Sequence, residues 1–197
     1  MLRFVLLALA AAGCASGPRE HRPAGAPATV SQAVPPSLDG AGRLVHDAVN
    51  AARTREGRGA LRWSDRLARV AQGHGEDMAR RGYFAHVAPE GATPQDRAVA
   101  GGVACRARLS DAEVRTGVLE NLYRTTRYVR VTERRLGPTR VRTPEWLTDA
   151  EVARAAVAGW LRSPGHRHNL LDHHATAEGV GVAAGPDSLV YVVQLLC

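Results

Sequence analysis

Apolar residues recur every three or four positions in two stretches of the chain, as they do on the inner face of an amphipathic helix. The first stretch ends before Gly57 and Gly59, and its apolar members are Leu44, Val45, Ala48, Val49 and Ala52. The second follows Ser64, a residue type that caps helices, and ends near Gly82; its inward-facing members are Leu67, Val70, Ala71, His74 and Met78. The spacing therefore predicts two amphipathic helices, with His74 as a hydrogen-bonded core residue of the second. The alternative for His74 is a role as a ligand.

Capping residues mark two further helix starts. Thr93 followed by Pro94 predicts a short third helix, because proline is favoured in the first helical turn. Thr148 and Glu151 form a capping box that opens a fourth helix. That helix is broken by Ser163-Pro164-Gly165, and its apolar residues are Val152, Ala155, Ala156 and Trp160.

The C-terminal part of the chain contains two strand-like runs, at residues 179–184 and 189–196. The sequence Gly185-Pro186-Asp187-Ser188 between them is typical of a turn, so the two runs are predicted to pair as an antiparallel hairpin. Helices precede strands, and no regular βαβ alternation occurs. The predicted fold class is therefore α+β, a sandwich in which helices cover a mostly antiparallel sheet.

The N-terminus has the features of an export signal. Arg3 supplies a positive charge, and the apolar run at residues 4–12 is too short to span a bilayer. The sequence from Leu9 to Cys14 resembles a bacterial lipobox, which implies a lipoprotein signal peptide at residues 1–13 and lipid on Cys14. The expected location is the extracytoplasmic cell envelope, at an outer membrane or the cell surface. The alternative is an ordinary secretory signal cut near the same alanines, without a lipid.

Composition divides the remaining chain into two parts. Residues 14–41 are rich in proline, alanine, glycine and serine and are predicted to form a disordered, lipidated tether. Residues 42–197 have a globular composition and a length that suits a single domain.

Cysteine usage is consistent with export. If Cys14 carries lipid, then Cys105 and Cys197 remain as an even pair that can form a disulfide in an oxidising compartment. The alternative is that the two thiols are reduced and buried separately, because spacing alone does not establish pairing.

All of the positive charge comes from arginine, since the chain with its net charge of +7 contains no lysine. Seven arginines and one acidic residue lie between Arg124 and Arg142, with alternating apolar residues and a Gly137-Pro138 turn. This pattern predicts a basic hairpin inserted at about residues 123–143. The hairpin could contact anionic lipid or cell-wall polymer, or it could be a strand edge kept soluble by charge. No nucleic-acid partner is expected from the charge alone.

Three residues carry most of the candidate chemistry, namely His86, Glu120 and His166. Two imidazoles and one carboxylate can bind zinc and leave a position open for water or a ligand. Alternatively, the same groups can form a buried hydrogen-bond network. His168, His173 and His174 lie close to His166 in sequence, and we expect them in a solvated loop, with a second metal patch as the alternative.

The order of several short segments resembles the CAP superfamily, which comprises cysteine-rich secretory, antigen 5 and pathogenesis-related proteins, and most closely its bacterial branch. The resemblance covers about residues 42–197. It rests on Asn50 and Arg53, Asp77-Met78, the segment ending at His86, Pro94, Asp96-Arg97, Leu119-Glu120-Asn121-Leu122, Ser163 to Leu171, and Gly179-Val180-Gly181-Val182.

The resemblance implies an αβα sandwich with a central cleft, in which two histidines and two acidic residues can hold a divalent cation such as Zn²⁺. His86, Glu120 and His166 match three of these residues, and Asn169 belongs to the same cleft segment. The fourth acid is missing, because residues 153–162 contain no carboxylate. Leu119 also replaces the glycine that usually precedes the middle acid. Both departures argue against a tight metal site.

These observations predict an envelope protein tethered to a membrane, with a cleft that binds a lipid or small molecule without catalysis; glycans and envelope proteins are further candidate ligands. The alternative is a metal-dependent hydrolase of envelope peptides or esters, with His86 and His166 as metal ligands and Glu120 as general base. A third interpretation is a structural envelope component that docks through the basic hairpin. Whether the protein is an enzyme, and its oligomeric state, do not follow from the sequence.

Overall fold

A computed structural model describes residues 29–31 and 34–197, and side chains from residue 34 onward. The predicted signal peptide, the lipidation of Cys14 and most of the predicted tether lie outside these residues. The helices are α1 (Ala41–Arg55), α2 (Asp65–Arg81), α3 (Pro94–Ala100), α4 (Asp149–Arg162) and α5 (Pro164–Leu170). The strands are β1 (Thr29–Ser31), β2 (Arg62–Trp63), β3 (Arg106–Arg108), β4 (Val114–Thr116), β5 (Leu119–Thr126), β6 (Tyr128–Leu136), β7 (Thr139–Trp146), β8 (Ala177–Ala184) and β9 (Leu189–Leu196).

The central sheet has the strand order β2-β8-β9-β5. The predicted C-terminal hairpin is confirmed, because β8 and β9 pair antiparallel from Glu178↔Leu196 to Ala184↔Val190. Strand β5 pairs antiparallel with the other side of β9, whereas the short strand β2 runs parallel to β8. The predicted fold class is therefore also confirmed, with a mostly antiparallel sheet between two layers of helices.

Each face of the sheet buries its own hydrophobic core. Along β9, Val190, Val192 and Leu196 pack with α1, α4 and α5, while Tyr191, Val193 and Leu195 pack with α2 and α3. This alternation follows from the twofold repeat of side-chain direction along a strand. The sheet is thus the middle layer of an αβα sandwich, and residues on its two faces reach different sites.

Helix α2 lies directly on the backbone of β8. A Cβ atom at Gly179 would come within 2.1 Å of the Ala68 nitrogen, and one at Gly181 within 2.2 Å of the Gln72 nitrogen. No side chain fits in that space, so glycine is required at both positions by the close approach of helix and strand. This packing fixes the position of α2, whose C-terminal end leads to His86.

The helix ends agree with the capping residues in the sequence. Ser64 accepts a hydrogen bond from the Leu67 N–H, and both Thr93 and Thr148 form capping boxes. The segment after Ser163 differs from the prediction, because it forms the short helix α5 and not a loop. Pro164 ends α4 but also suits the first turn of the next helix, so one proline both stops and starts a helix here.

A second sheet has the strand order β1-β7-β6. Strands β6 and β7 form the antiparallel hairpin expected from the basic stretch, and it extends to Trp146. Within the predicted tether of residues 14–41, Thr29–Ser31 pair in parallel with β7 and Leu38 is buried in the core. Strand addition uses backbone hydrogen bonds, which a segment poor in apolar side chains can still make.

Cys105 and Cys197 form a disulfide, with their Cα atoms 5.4 Å apart, so the predicted pairing is confirmed. The bond connects the loop before β3 with the residue after β9 and closes a separation of 92 residues.

Candidate functional site

The candidate site is assembled from separate elements of the fold. His86 lies in the loop between α2 and α3, and Glu120 lies near the start of β5. His166 and Asn169 both lie on α5. The structure therefore brings the four predicted cleft residues to one end of the central sheet, although they are up to 83 positions apart in the sequence.

The Glu120 carboxylate is buried, with 2% of its side chain exposed, and both of its oxygens have a partner. His86 Nδ1 lies 2.8 Å from Oε1, and Arg97 Nη2 donates to Oε2 at 2.8 Å. The same Nη2 also donates to the His86 carbonyl oxygen at 2.9 Å. Because a carboxylate only accepts, the Nδ1 of His86 carries the proton and its Nε2 edge is left for other partners. Glu120 thus orients His86.

The two histidines of the site face each other with ring centroids 6.5 Å apart. Half of the His86 side chain is exposed (49%), whereas His166 is partly buried. Burial lowers the pKa of His166, and the neighbouring His86 lowers it further. His166 is therefore neutral near pH 7, and its ring nitrogens are available as hydrogen-bonding groups.

Asn169 connects α5 to the central sheet. Its Nδ2 donates to the Glu120 carbonyl oxygen at 3.3 Å and to Asn121 Oδ1 at 3.1 Å. Asn121 Nδ2 in turn donates to the His166 carbonyl oxygen at 3.0 Å and to Gln194 Oε1 at 2.9 Å. The predicted cleft residue Asn169 therefore positions the helix that carries His166.

These hydrogen bonds continue through the interior of the protein. Gln194 Nε2 donates to Glu178 Oε2 at 2.5 Å, and His46 Nδ1 lies 2.7 Å from Glu178 Oε1. His46 Nε2 is 3.3 Å from Asn50 Nδ2, whose amide is fixed by hydrogen bonds to the Leu61 backbone. Since the side chain of Glu178 is fully buried, these partners are needed to keep its polar atoms satisfied.

Several residues of this network were missed by sequence reasoning. Arg97 belongs to the Asp96-Arg97 segment of the family resemblance, but no role was predicted for it, and its contact with Glu120 spans 23 positions. Glu178, Gln194 and His46 had no local signal except that Glu178 and Gln194 are polar residues within apolar strands. A polar residue in a buried strand must find a partner, which is the one clue that the sequence offered.

The C-terminal end of α5 is held by two further charged residues. Arg53 is buried and donates from Nη1 to the carbonyl oxygens of Leu170 and Asp172, at 2.7 and 3.0 Å. Arg115 forms a two-bond ion pair with the Asp172 carboxylate, at 2.7 and 3.2 Å. Burial by itself would raise the pKa of Asp172, but the Arg115 pair and the N–H groups of His174 and Ala175 outweigh it and lower the pKa to about 2.

His74, His168, His173 and His174 lie outside the contacts made by His86, Glu120 and His166. His74 is a hydrogen-bonded core residue as predicted, 2% exposed, with its Nε2 3.1 Å from the Ala85 carbonyl oxygen. Burial lowers its pKa, so it is neutral near pH 7. His168 lies on α5, and the ring centroids of His173 and His174 lie 3.7 Å apart with the rings tilted by 41°.

The described arrangement of the site does not fit a bound metal. Two imidazoles that share a tetrahedral zinc, with Zn–N bonds of about 2.0–2.1 Å, place their ring centres about 5 Å apart. The rings of His86 and His166 are farther apart than that, and Glu120 is already paired. Among residues 34–197, no group of three or more histidine, cysteine or acidic side chains is arranged to hold a metal ion.

A cavity of about 400 Å³ lies beside the site. Arg97 lines this cavity and also contacts Glu120, and the lining combines apolar surface from residues such as Val70 and Ala88 with charged side chains such as Asp77 and Glu90. The volume is in the range of small-ligand pockets. Neither this cavity nor a larger one of about 600 Å³, lined by Gln72, Arg80 and other residues, is lined by His86, Glu120, His166 or Asn169.

Comparison with known proteins identifies the relatives of the chain. Residues 46–196 match the family model described as the cysteine-rich secretory protein family, CAP. The uncharacterized membrane protein YlbC of Bacillus subtilis (strain 168) is 34% identical over 140 residues, which are 71% of this chain and 31% of YlbC. The chain thus spans less than a third of the length of that relative.

Solved structures agree with this match. An extracellular protein containing an SCP domain from Bacillus anthracis is 28% identical with a TM-score of 0.55, over 80% of this chain and 40% of that one. An outer surface protein from Borrelia burgdorferi is 15% identical and shares the fold, with a TM-score of 0.57 over 82% and 94% of the two chains. No helix within the described residues is long and apolar enough to cross a membrane. From the family match over residues 46–196, the chain belongs to the CAP family of cysteine-rich secretory proteins.

Proposed function

We propose that this protein is an envelope-facing binding module, whose cleft between His86 and His166 takes up a lipid or small molecule without catalysis. The observation that carries this proposal is the state of Glu120, whose two oxygens are both engaged by His86 and Arg97. Each oxygen keeps a second lone pair, but the Glu120 side chain is only 2% exposed and both of its hydrogen bonds lie within the protein. This arrangement favours a role in fixing the ring of His86 over direct proton transfer to a bound ligand.

The chemistry of the cleft favours a ligand with a polar head and an apolar body. The outward edges of the two imidazoles supply hydrogen-bonding nitrogens at 6.5 Å ring separation. The neighbouring cavity of about 400 Å³ supplies apolar surface next to Arg97. Specific small-ligand sites commonly combine a few polar groups with an apolar lining in this way.

The proposed location is the outer side of a membrane, through lipid on Cys14. Three observations support it: the lipobox-like sequence before Cys14, the extracellular SCP-domain relative, and the membrane protein among the relatives. The disulfide between Cys105 and Cys197 also suits an oxidising compartment.

The metal-dependent hydrolase remains a prediction, and the ligand-binding experiment described in the next paragraph also tests it. In the described geometry, Glu120 is held by Arg97 and the histidine rings are too far apart for one zinc ion. Hydrolysis would therefore require the two histidine rings to move closer together and Glu120 to leave its contacts with His86 and Arg97 to act as general base.

The experiment compares the chain beginning at Ala15 with its His86→Ala/His166→Ala variant, using the fluorescent fatty acid cis-parinaric acid as the probe. We expect saturable fluorescence enhancement, with an affinity that falls in the variant by about tenfold or more, since two hydrogen bonds of about 1 kcal/mol each are lost. Turnover of p-nitrophenyl butyrate and uptake of Zn²⁺ are measured on the same samples.

A matched control is available in His173→Ala/His174→Ala, which also removes two imidazoles but none from the cleft. Binding that falls equally in both variants would contradict the assignment of the cleft. Ester turnover that depends on Zn²⁺ and is lost only in the cleft variant would contradict the non-catalytic proposal.

A further inference from the structure

We propose that the tip of the β6–β7 hairpin, defined as Arg134, Arg135 and Leu136, docks on the surface of an anionic lipid bilayer. The site is separate from the cleft and goes beyond the proposed ligand binding. It would set the orientation of the domain on the membrane that carries it.

The topology places this hairpin next to the N-terminal segment. Strand β1 (Thr29–Ser31) is the edge strand of the sheet β1-β7-β6, paired in parallel with Arg140, Val141 and Arg142 of β7. Cys14 precedes Thr29 by 15 residues, which can extend over at most about 50 Å. If lipid is attached at Cys14, the hairpin sheet is therefore the part of the described fold that is tethered most directly to the bilayer.

The charges at the tip lack partners within the protein. Arg130 pairs with Glu145 at 2.7 Å, nearer the body of the hairpin, and Arg140, which lies opposite Arg135, pairs with Glu133 at 3.0 Å. Arg134 and Arg135 have no carboxylate within 4.0 Å among residues 34–197. Two uncompensated guanidinium groups thus stand where the chain turns, and phosphate groups are natural partners for them.

The strand register adds a second indication. Arg135 lies directly opposite Arg140 in the antiparallel pair, and like charges in such positions destabilise a hairpin. Glu133 pairs with Arg140, so Arg135 is left beside a like charge without a carboxylate of its own, and an anionic surface would supply that partner. A charged strand edge that serves only solubility does not require two arginines opposite each other.

The turn itself presents an apolar side chain to solvent. Leu136 is 61% exposed and precedes Gly137, whose φ of 59° allows the tight turn. A leucine flanked by arginines can enter the headgroup layer while the guanidinium groups stay at phosphate level. Charge and apolar exposure therefore coincide at the same tip.

The experiment measures sedimentation of the chain beginning at Ala15 with vesicles, which excludes a contribution from the lipid on Cys14. This chain contains every residue that the structure describes. Vesicles of phosphatidylcholine with phosphatidylglycerol at about a third of the lipid are compared with pure phosphatidylcholine, at low and at high salt. The tip variant is Arg134→Gln/Arg135→Gln.

Each basic residue at an anionic surface contributes roughly fivefold to partitioning, so the tip variant should bind about 30-fold more weakly at low salt. Leu136→Ser should weaken binding about tenfold through lost apolar contact. High salt should abolish most of the difference between parent and tip variant, because screening removes the electrostatic part.

The matched control is Arg106→Gln/Arg108→Gln, which removes two exposed arginines from β3 and changes the net charge equally. Equal losses in the tip and control variants would overturn the proposal, since only the total charge would then matter. Binding that survives in the tip variant but is lost in His86→Ala/His166→Ala would also overturn it. That last result would leave the proposed cleft function intact.

Discussion

The ion pair between Arg115 and Asp172 provides a quantitative test of how α5 is held in place. Asp172→Asn keeps the shape of the side chain but removes the charge that Arg115 contacts at 2.7 and 3.2 Å. The two side chains are only 24% and 6% exposed, so solvent screens the pair weakly. Lowering the pKa of Asp172 from 3.8 to about 2 corresponds to about 2 kcal/mol of folding stability at neutral pH.

The sign of the pH dependence follows from the direction of this change. The folded state binds the proton of Asp172 more weakly than the unfolded state, so the carboxylate stabilises the fold fully above the unfolded pKa of about 3.8. That stabilisation is lost as the pH falls from about 3.8 through about 2. We therefore expect Asp172→Asn to lower the free energy of unfolding by about 2 kcal/mol near neutral pH and to have little effect near pH ~2.

The assay is urea unfolding followed by tryptophan fluorescence at several pH values, for the parent and the variant. Asp111→Asn is a suitable control, because Asp111 is fully exposed and its Arg108 partner lies 3.9 Å away. We expect no resolvable change of midpoint in the control. A difference between parent and Asp172→Asn that stays constant from neutral to strongly acidic pH would refute the assigned role of the carboxylate.

Two further predictions concern the packing of the sandwich. Gly181→Ala places a Cβ atom within 2.2 Å of the Gln72 nitrogen and should lower the free energy of unfolding by about 1–3 kcal/mol or more. The control Gly73→Ala meets no atom within 4 Å and should be neutral or stabilising. Thermal melting of the two variants measures the difference. Replacing Cys105 and Cys197 together by alanine should cost about 4 kcal/mol, because their bond closes a long loop. Equal urea midpoints for the double variant and the parent would contradict that role.

Much of the fold follows from local patterns in the sequence. The helix starts at Ser64, Thr93 and Thr148 are local capping signals, and the β8–β9 hairpin follows from two apolar runs around a turn. The helix α5 was missed because Pro164 is compatible with both a helix stop and a helix start. The strand β1 was missed because it pairs through its backbone, which residue composition does not reveal.

The site was predicted less completely than the fold. His86, Glu120 and His166 were placed together through family resemblance, and the structure does bring them close to one another at one end of the central sheet. The partner of Glu120 was not foreseen, because a contact with Arg97 on α3 depends on how two layers dock. Glu178 is a similar case, since its bonds to Gln194 and His46 join residues that lie 16 and 132 positions away.

The geometry of His86 is the central claim, and nuclear magnetic resonance of ¹⁵N-histidine-labelled protein at mildly alkaline pH tests it most directly. We predict that His86 carries its proton on Nδ1, towards Glu120, and that addition of cis-parinaric acid shifts the ring signals of His86 and His166 but not those of buried His74. A proton on Nε2 of His86, with ring signals that do not respond to the fatty acid, would contradict the proposed binding cleft.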